Sequence, residues 1–248
     1  MKKFFILLLF FIYMPLVCAD DIDARLDWSE RVTMSTSVSG VVSLVKVVPG
    51  QKISKGDLLL RLDQSVYEAN LLDAEQDLKS AELSMQEGEK EWERAQELYE
   101  RTVLSDHELA TARVLYAKRQ ADYQRAASNL AQVKYNLKYS EIRAPFNGVV
   151  VDASVSVGQT VIQNMQSEPM LVLANNVQMI AETFVSAKQA RALSQSSKVS
   201  VKLGGNNIVG VVSSIGVEPV DGKYLLRVKF DSNGKMFRKG EKAEIVLP

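Results

Sequence analysis

One short motif occurs twice in this chain, with a long helical pattern between the copies. The first copy runs Gly40-Val41-Val42 and then Gly50-Gln51-Lys52-Ile53; the second runs Gly148-Val149-Val150 and then Gly158-Gln159-Thr160-Val161. The two glycines of each copy are ten residues apart. Each copy has the makeup of a strand, a turn at the second glycine and another strand. A β-domain whose chain leaves for a long detour and then returns holds a tip far from a base. That points to a connector, not a catalyst.

The detour has a different period. Tyr67, Leu71, Ala74, Leu78, Ala81, Met85, Gly88, Trp92, Ala95 and Tyr99 follow an unbroken 4-3-4-3 spacing, the seam of a coiled coil. A second seam runs Leu109, Ala112, Tyr116, Arg119, Tyr123, Ala126, Leu130, Val133 and Leu137. Only Arg119 there departs from apolar character. It either snorkels out of the interface or pairs with an acid on the first helix. At roughly 1.5 Å per residue, each arm spans on the order of 50 Å. Thr102-Val103-Leu104 is too short for anything but an antiparallel turn. Ser105-Asp106-His107-Glu108 is a capping box and marks the start of the second helix.

On either side of this hairpin (64–139) lie the two β halves, 37–63 and 140–173. After them, 177–185, 198–203, 208–216, 223–230 and 242–247 have strand character, with turns at Gly204-Gly205-Asn206-Asn207, Asp221-Gly222, Asn233-Gly234 and Lys239-Gly240. One short helix, 186–193, interrupts them. The pattern over 174–248 predicts a small antiparallel barrel. Residues 20–36, with Trp28, are expected to lend that barrel a lead-in strand. The fold class expected is mainly β with an inserted α-helical hairpin.

The first 19 residues have the form of an export signal: Lys2 and Lys3, an apolar stretch from Phe4 to Val17, and Val17-Cys18-Ala19 before a cleavage point at Asp20. Lipidation at Cys18 and a retained anchor are the alternatives. Cleavage removes the only cysteine, and loss of Lys2 and Lys3 takes the formal charge from 0 to −2. No basic excess favours nucleic acid or anionic lipid as a partner. Enzyme chemistry finds no footing: there is no phosphate-binding glycine loop and no HExxH, and the single histidine, His107, sits near the hairpin tip as an exposed first-turn residue. The eight methionines are scattered, with no spacing suited to a soft metal ion. Neither cofactor nor metal is expected.

These residues together resemble the membrane fusion proteins, the periplasmic adaptor subunits of tripartite efflux pumps. Ser39-Gly40-Val41-Val42 through Leu62-Asp63 is similar to the family's first lipoyl half-motif. Ile142-Arg143-Ala144-Pro145-Phe146-Asn147-Gly148-Val149-Val150 is similar to its second, and Lys239-Gly240-Glu241 through Val246 to the close of its β-barrel. At the hairpin tip, Arg94, Leu98 and Ser105 have the spacing R-x3-L-x6-S. The resemblance implies a split lipoyl-like domain, an antiparallel coiled-coil hairpin and a small antiparallel β-barrel. It implies a non-catalytic periplasmic adaptor, ringed with copies of itself as a hexamer. The ring would sit on an inner-membrane transporter of the resistance-nodulation-division (RND) type and reach a TolC-type outer-membrane channel through Arg94, Leu98 and Ser105.

Plainer readings stand beside that one. Arg94 also suits a solvated helix face, Leu98 also suits half-burial against the turn, and the cap alone accounts for Ser105. Trp92 and the seam tyrosines fit a coiled-coil core. The partner could instead be an ATP-driven exporter, or the hairpin could space two surfaces as a scaffold without forming a conduit. A swinging-arm carrier would need a lysine in a tight hairpin between the halves, and here the coiled coil replaces that hairpin. Only some 17 residues separate the cleavage point from the first half, and the chain stops just past the last expected strand, at Pro248. The membrane-proximal domain of many such adaptors is therefore expected to be absent.

Overall fold

A computed structural model describes residues 21–162 and 169–247; the expected signal peptide lies outside them. In chain order the elements are β1 (Asp21–Trp28), β2 (Arg31–Met34), β3 (Gly40–Val45), β4 (Lys52–Ile53), β5 (Leu58–Leu62), α1 (Ser65–Glu100), α2 (Asp106–Tyr139), β6 (Glu141–Arg143), β7 (Gly148–Ala153), β8 (Thr160–Val161) and β9 (Leu171–Ala174). The chain continues with β10 (Gln178–Val185), α3 (Ala187–Ala192), β11 (Lys198–Leu203), β12 (Asn206–Ile215), β13 (Tyr224–Asp231) and β14 (Lys242–Val246). Two compact units result. One is residues 31–174; the other is built from the chain on either side of that stretch.

In the first unit the repeated motif explains how the chain closes after its detour. Two four-stranded sheets form, β2-β9-β7-β4 and β6-β5-β3-β8. Each copy lends the other a strand: β4 pairs with β7 (Ile53 opposite Gly148), and β8 pairs with β3 (Val161 opposite Gly40). The turns interlock in the same way. Gly50 N–H donates to the Val150 carbonyl at 2.8 Å and Val150 N–H to the Gln51 carbonyl at 2.9 Å; Gly158 N–H donates to Val42 at 2.8 Å and Val42 N–H to Gln159 at 2.9 Å. Even the side chains repeat: Gln51 Oε1 accepts from Val48 N–H and Gln159 Oε1 from Ser156 N–H, both at 3.1 Å. Gly50 and Gly158 hold φ of +85° and +88°, a conformation that a side chain resists. Val42, Leu60, Leu62, Val150, Leu171 and Leu173 fill the space between the sheets. Their burial at roughly 25 cal/mol per Å² drives the closure.

The lead-in segment divides between the units, which corrects the expectation for residues 20–36. β1 joins the barrel, but β2 runs along β9, from Arg31 opposite Ala174 to Met34 opposite Leu171. β7 covers only one side of β9, so the open side needs hydrogen-bond partners, and the chain beyond Glu30 supplies them.

α1 and α2 pair along the expected seams. Every seam residue of both helices is at least partly buried except Tyr99, at the tip. Arg119 reaches Glu91 on the first helix at 3.3 Å and donates to the Ser84 carbonyl at 3.4 Å. It fits because Gly88 faces it: a Cβ there would lie 2.7 Å from Arg119 Cδ. A sign reversal is the expected consequence. Gly88→Ala destabilises the hairpin by about 1 kcal/mol through overpacking. In an Arg119→Ala background the same change stabilises by about 1 kcal/mol, the ordinary helix gain of Ala over Gly. Urea titration of the four variants by circular dichroism reads this coupling.

The second unit is a closed barrel in the order β1-β10-β13-β12-β11-β14. Leu26, Met179, Ala181, Val201, Leu226, Val228 and Ile245 fill it; Leu193, the C-cap of α3, belongs to the same core, and Ala190 of α3 packs against it. One turn is tighter than expected. Leu203 pairs with Asn206, so Asn206 and Asn207 begin β12 and only Gly204-Gly205, with φ of +52° and +83°, make the loop.

Candidate functional site

The hairpin tip is built from two helix ends and the five residues between them, Arg101 to Ser105. α1 ends on a left-handed residue, Thr102, with φ of +58°. Val103 N–H donates to the Leu98 carbonyl at 3.0 Å and Thr102 N–H to the Tyr99 carbonyl at 2.8 Å. This is a Schellman ending, here with a β-branched residue where glycine is usual. No glycine marks the stop, so the residue types at the turn do not reveal its form. α2 begins on the expected capping box: Glu108 N–H donates to Ser105 Oγ at 3.3 Å, and Ser105 N–H to Glu108 Oε2 at 3.0 Å. The Ser105 hydroxyl also donates to Glu108 Oε2 at 2.7 Å.

Both helix ends are tied together. Tyr99 Oη donates to Asp106 Oδ1 at 2.6 Å, a contact that the seam pattern did not foretell. The Asp106 carboxylate pushes the Tyr99 phenol up. The Ser105 hydroxyl and N–H hold the Glu108 carboxyl below its usual range. A depressed carboxyl lends its stability above its unfolded pKa and loses it as pH falls through the folded value, so the cap is complete at neutral pH and weakens in acid.

The three sequence-derived tip residues occupy this frame. Arg94 and Leu98 lie one turn apart on α1, both exposed, and Leu98 is 40% accessible although apolar. Among the described residues, Arg94 has no carboxylate within ion-pair distance. Ser105 is the N-cap of α2; the cap uses its proton and one lone pair and leaves the other lone pair open. Val103, 69% exposed at the turn, adds an apolar residue that the motif does not include. Just below the tip, Trp92 faces Leu109, Ala110, Arg113 and Val114 across a concavity of about 490 Å³. His107 is exposed, and its carbonyl accepts from the Thr111 hydroxyl at 2.8 Å. Among the described residues no group of three or more His, Cys, Asp or Glu is placed to hold a metal ion. No helix of the described residues is long and apolar enough to cross a membrane.

The chain is similar to known proteins along most of its length. It is 30% identical over 176 residues to the macrolide export protein MacA of Escherichia coli O157:H7, covering 65% of this chain and 47% of that one. It is 26% identical over 190 residues to the uncharacterized protein YdhJ of Escherichia coli K12, covering 76% and 65%. The matches therefore span about half to two thirds of those relatives. Among solved structures, the membrane fusion protein Spr0693 of Streptococcus pneumoniae R6 superposes with a TM-score of 0.69 at 16% identity, over 92% of this chain and 99% of that one. A MacA–MexA chimera carrying the Pseudomonas aeruginosa MexA α-hairpin superposes with a TM-score of 0.68 at 22% identity, over 92% and 79%. At these identities the structures speak for the fold. The family model of the RND membrane fusion protein barrel-sandwich hybrid domain matches residues 30–174, the whole of the interlocked unit with its hairpin, and the chain belongs to that family.

Proposed function

We propose that this protein is a non-catalytic periplasmic adaptor, exported by a cleaved signal at residues 1–19. In this reading it links an inner-membrane transporter of the RND type to a TolC-type outer-membrane channel. Copies pack into a ring, hexameric by analogy with the family, and seal the conduit while the transporter supplies the energy. The observation that carries the reading is the tip. Arg94, with no ion-pair partner among the described residues, and an exposed Leu98 stand on a helix end that is fixed by its own turn and cap. A rigid tip that exposes a cation and apolar side chains suits helix-end recognition on a partner, since little ordering is left to pay for on binding. The family's RND description favours a proton-driven transporter. A macrolide export protein and the cobalt-zinc-cadmium resistance protein CzcB of Cupriavidus metallidurans are both among the relatives, so the adaptor fold itself does not select the cargo.

The test is crosslinking in cells from a cysteine at Leu98, with the native transporter and channel present. A specific adduct with an outer-membrane channel is the expected result. A well-expressed, exported protein that gives no adduct would return Arg94, Leu98 and Ser105 to ordinary helix-tip residues and favour a scaffold.

A further inference from the structure

α2 has a second heptad-spaced row, on the side turned away from α1. Ala110, Val114, Ala117 and Ala121 begin it with 4-3-4 spacing, and positions 124, 128 and 131 carry it without a charge to Tyr135. All of these residues are exposed, Val114 at 68% and Tyr135 at 45%. A solvated helix face is normally charged, whereas an uncharged row at this spacing is the form of a helix–helix seam. Toward the tip the row is hollow. Ala110, Val114 and Ala117 line the concavity below Trp92, with Arg113 on its wall.

The matching outward row of α1 has the complementary character. Leu72 and Leu83 lie in it, 61% and 59% exposed, and Glu93, Glu97 and Glu100 follow toward the tip. Contacts inside the hairpin set the relative heights: Lys134 reaches Glu75 at 3.8 Å, and Arg119 reaches Glu91 at 3.3 Å. Tyr135 and Leu72 are therefore within a turn of the same height, and so are Arg113 and Glu97. Lys79 and Lys90, the long residues of the α1 row, are level with Ser128 and with Ala117-Ala121, small residues over which their stems can lie. At each height apolar meets apolar, long meets small, or cation meets carboxylate.

These two faces cannot meet within one hairpin, so the match is between copies. Copies side by side about one axis are related without a shift along it, and equal heights come together. A two-fold contact of α2 on α2 fits less well, because it sets Arg113, Lys118 and Lys138 of one copy against the same cations of the other. By heptad position both rows lean toward the broad face that carries the Lys134–Glu75 pair. Successive contacts therefore turn the same way, which is what closes a head-to-tail contact into a ring. Arg94 and Leu98 lie on the opposite flank of α1 and stay open.

We propose that the outer row of α2 is an interface for a second copy of this chain and receives the outer row of that copy's α1, with Tyr135 against Leu72 and Arg113 against Glu93 and Glu97. The proposal rests on the ring of copies described above and gives it a lateral contact. A strip about 50 Å long and about 10 Å wide on each copy covers about 1,000 Å² in total, so the contact is weak alone and forms at high local concentration.

Two single-cysteine variants of the full chain test it, Tyr135→Cys and Leu72→Cys, each with Cys18→Ser. They are mixed at rising concentration and mildly oxidised, with a size tag on one to tell the three linked pairs apart. The mixed adduct is expected to exceed either like-with-like adduct about tenfold. Arg113→Glu in the Tyr135→Cys variant lowers it about tenfold; Glu93→Lys with Glu97→Lys in the Leu72→Cys variant restores it, which a hairpin that had merely unfolded would not show. No mixed adduct, like-with-like adducts in equal yield, or indifference to both charge changes would overturn this interface and leave the ring itself standing. A parent chain that sediments as a monomer at every concentration would overturn both. Docking on a channel does not enter, because purified protein alone is used.

Discussion

Export falls to background in the Arg94→Asp variant, while the hairpin keeps its helicity and the protein its abundance. Within the fold Arg94 contributes little, because it is exposed and has no carboxylate within ion-pair reach among the described residues. Reversing its charge changes pairings one turn away, unfavourably with Glu91 and Glu97 and favourably with Lys90, at about 0.2–0.5 kcal/mol each, so the net cost is small. The lower helix propensity of Asp adds a cost of the same order. At a docked tip the balance differs. The change removes a charge-assisted donor and sets an anion against an acceptor chosen for a cation. Losing one partner of a desolvated charged pair costs about 2–5 kcal/mol, which is about 30-fold or more in affinity. If the proposed ring engages the channel through several tips at once, each loss multiplies. Drug or metal susceptibility, read beside circular dichroism and immunoblotting, checks this. Lys79→Asp, on the exposed surface of the same helix, is the control and should export normally. Normal export by Arg94→Asp would remove the docking role.

The tip's two ends were unequally legible in the sequence. The start of α2 could be read because Ser105 and Glu108 carry its chemistry in their side chains, three residues apart. The end of α1 could be placed, at the turn Thr102-Val103-Leu104, but its form could not be read, because its signal is a backbone conformation at Thr102, a residue type that seldom adopts it. The seams were legible for a related reason: heptad spacing is local, and each Tyr, Leu or Ala in it reports its own face. Arg119 was readable as an exception, but its fit depends on Gly88 from the other helix, and the two seams do not show which residues meet. β2 was misassigned for want of any local signal. Arg31–Met34 is four residues long, and its place is set by the free side of β9, far along the chain.

The two copies of the repeated motif should answer the same substitution differently. Gly40 and Gly148 open the two copies and have the same place in each. The three atoms nearest a Cβ on Gly40 would all belong to the Leu62 side chain, the first at 3.2 Å, Cδ1, and a side-chain adjustment of a few tenths of an ångström accommodates it. A Cβ on Gly148 would lie 2.3 Å from the main-chain carbonyl oxygen of Ala174 and 3.1 Å from Phe146 Cε2. A strand carbonyl cannot rotate away. Relief requires β7 and β9 to part where Val149 pairs with Ala174. β9 also carries β2 on its other side and holds Leu171 and Leu173 in the core, so the shift spreads through the sheet. Gly148→Ala should therefore destabilise the sandwich by about 3 kcal/mol, the upper part of the usual overpacking range. Gly40→Ala should stay within about 1 kcal/mol of the parent, since loss of backbone freedom in the unfolded chain offsets part of its contact cost. For a protein of this size, that separates the melting temperatures by about 4–8 °C. Calorimetry, with the hairpin's helical signal followed in parallel, assigns the transition to this unit and not to the barrel. Equal shifts for the two variants would mean that the close approach at Ala174 is relieved cheaply, and that the copies are equivalent in packing as well as in pattern.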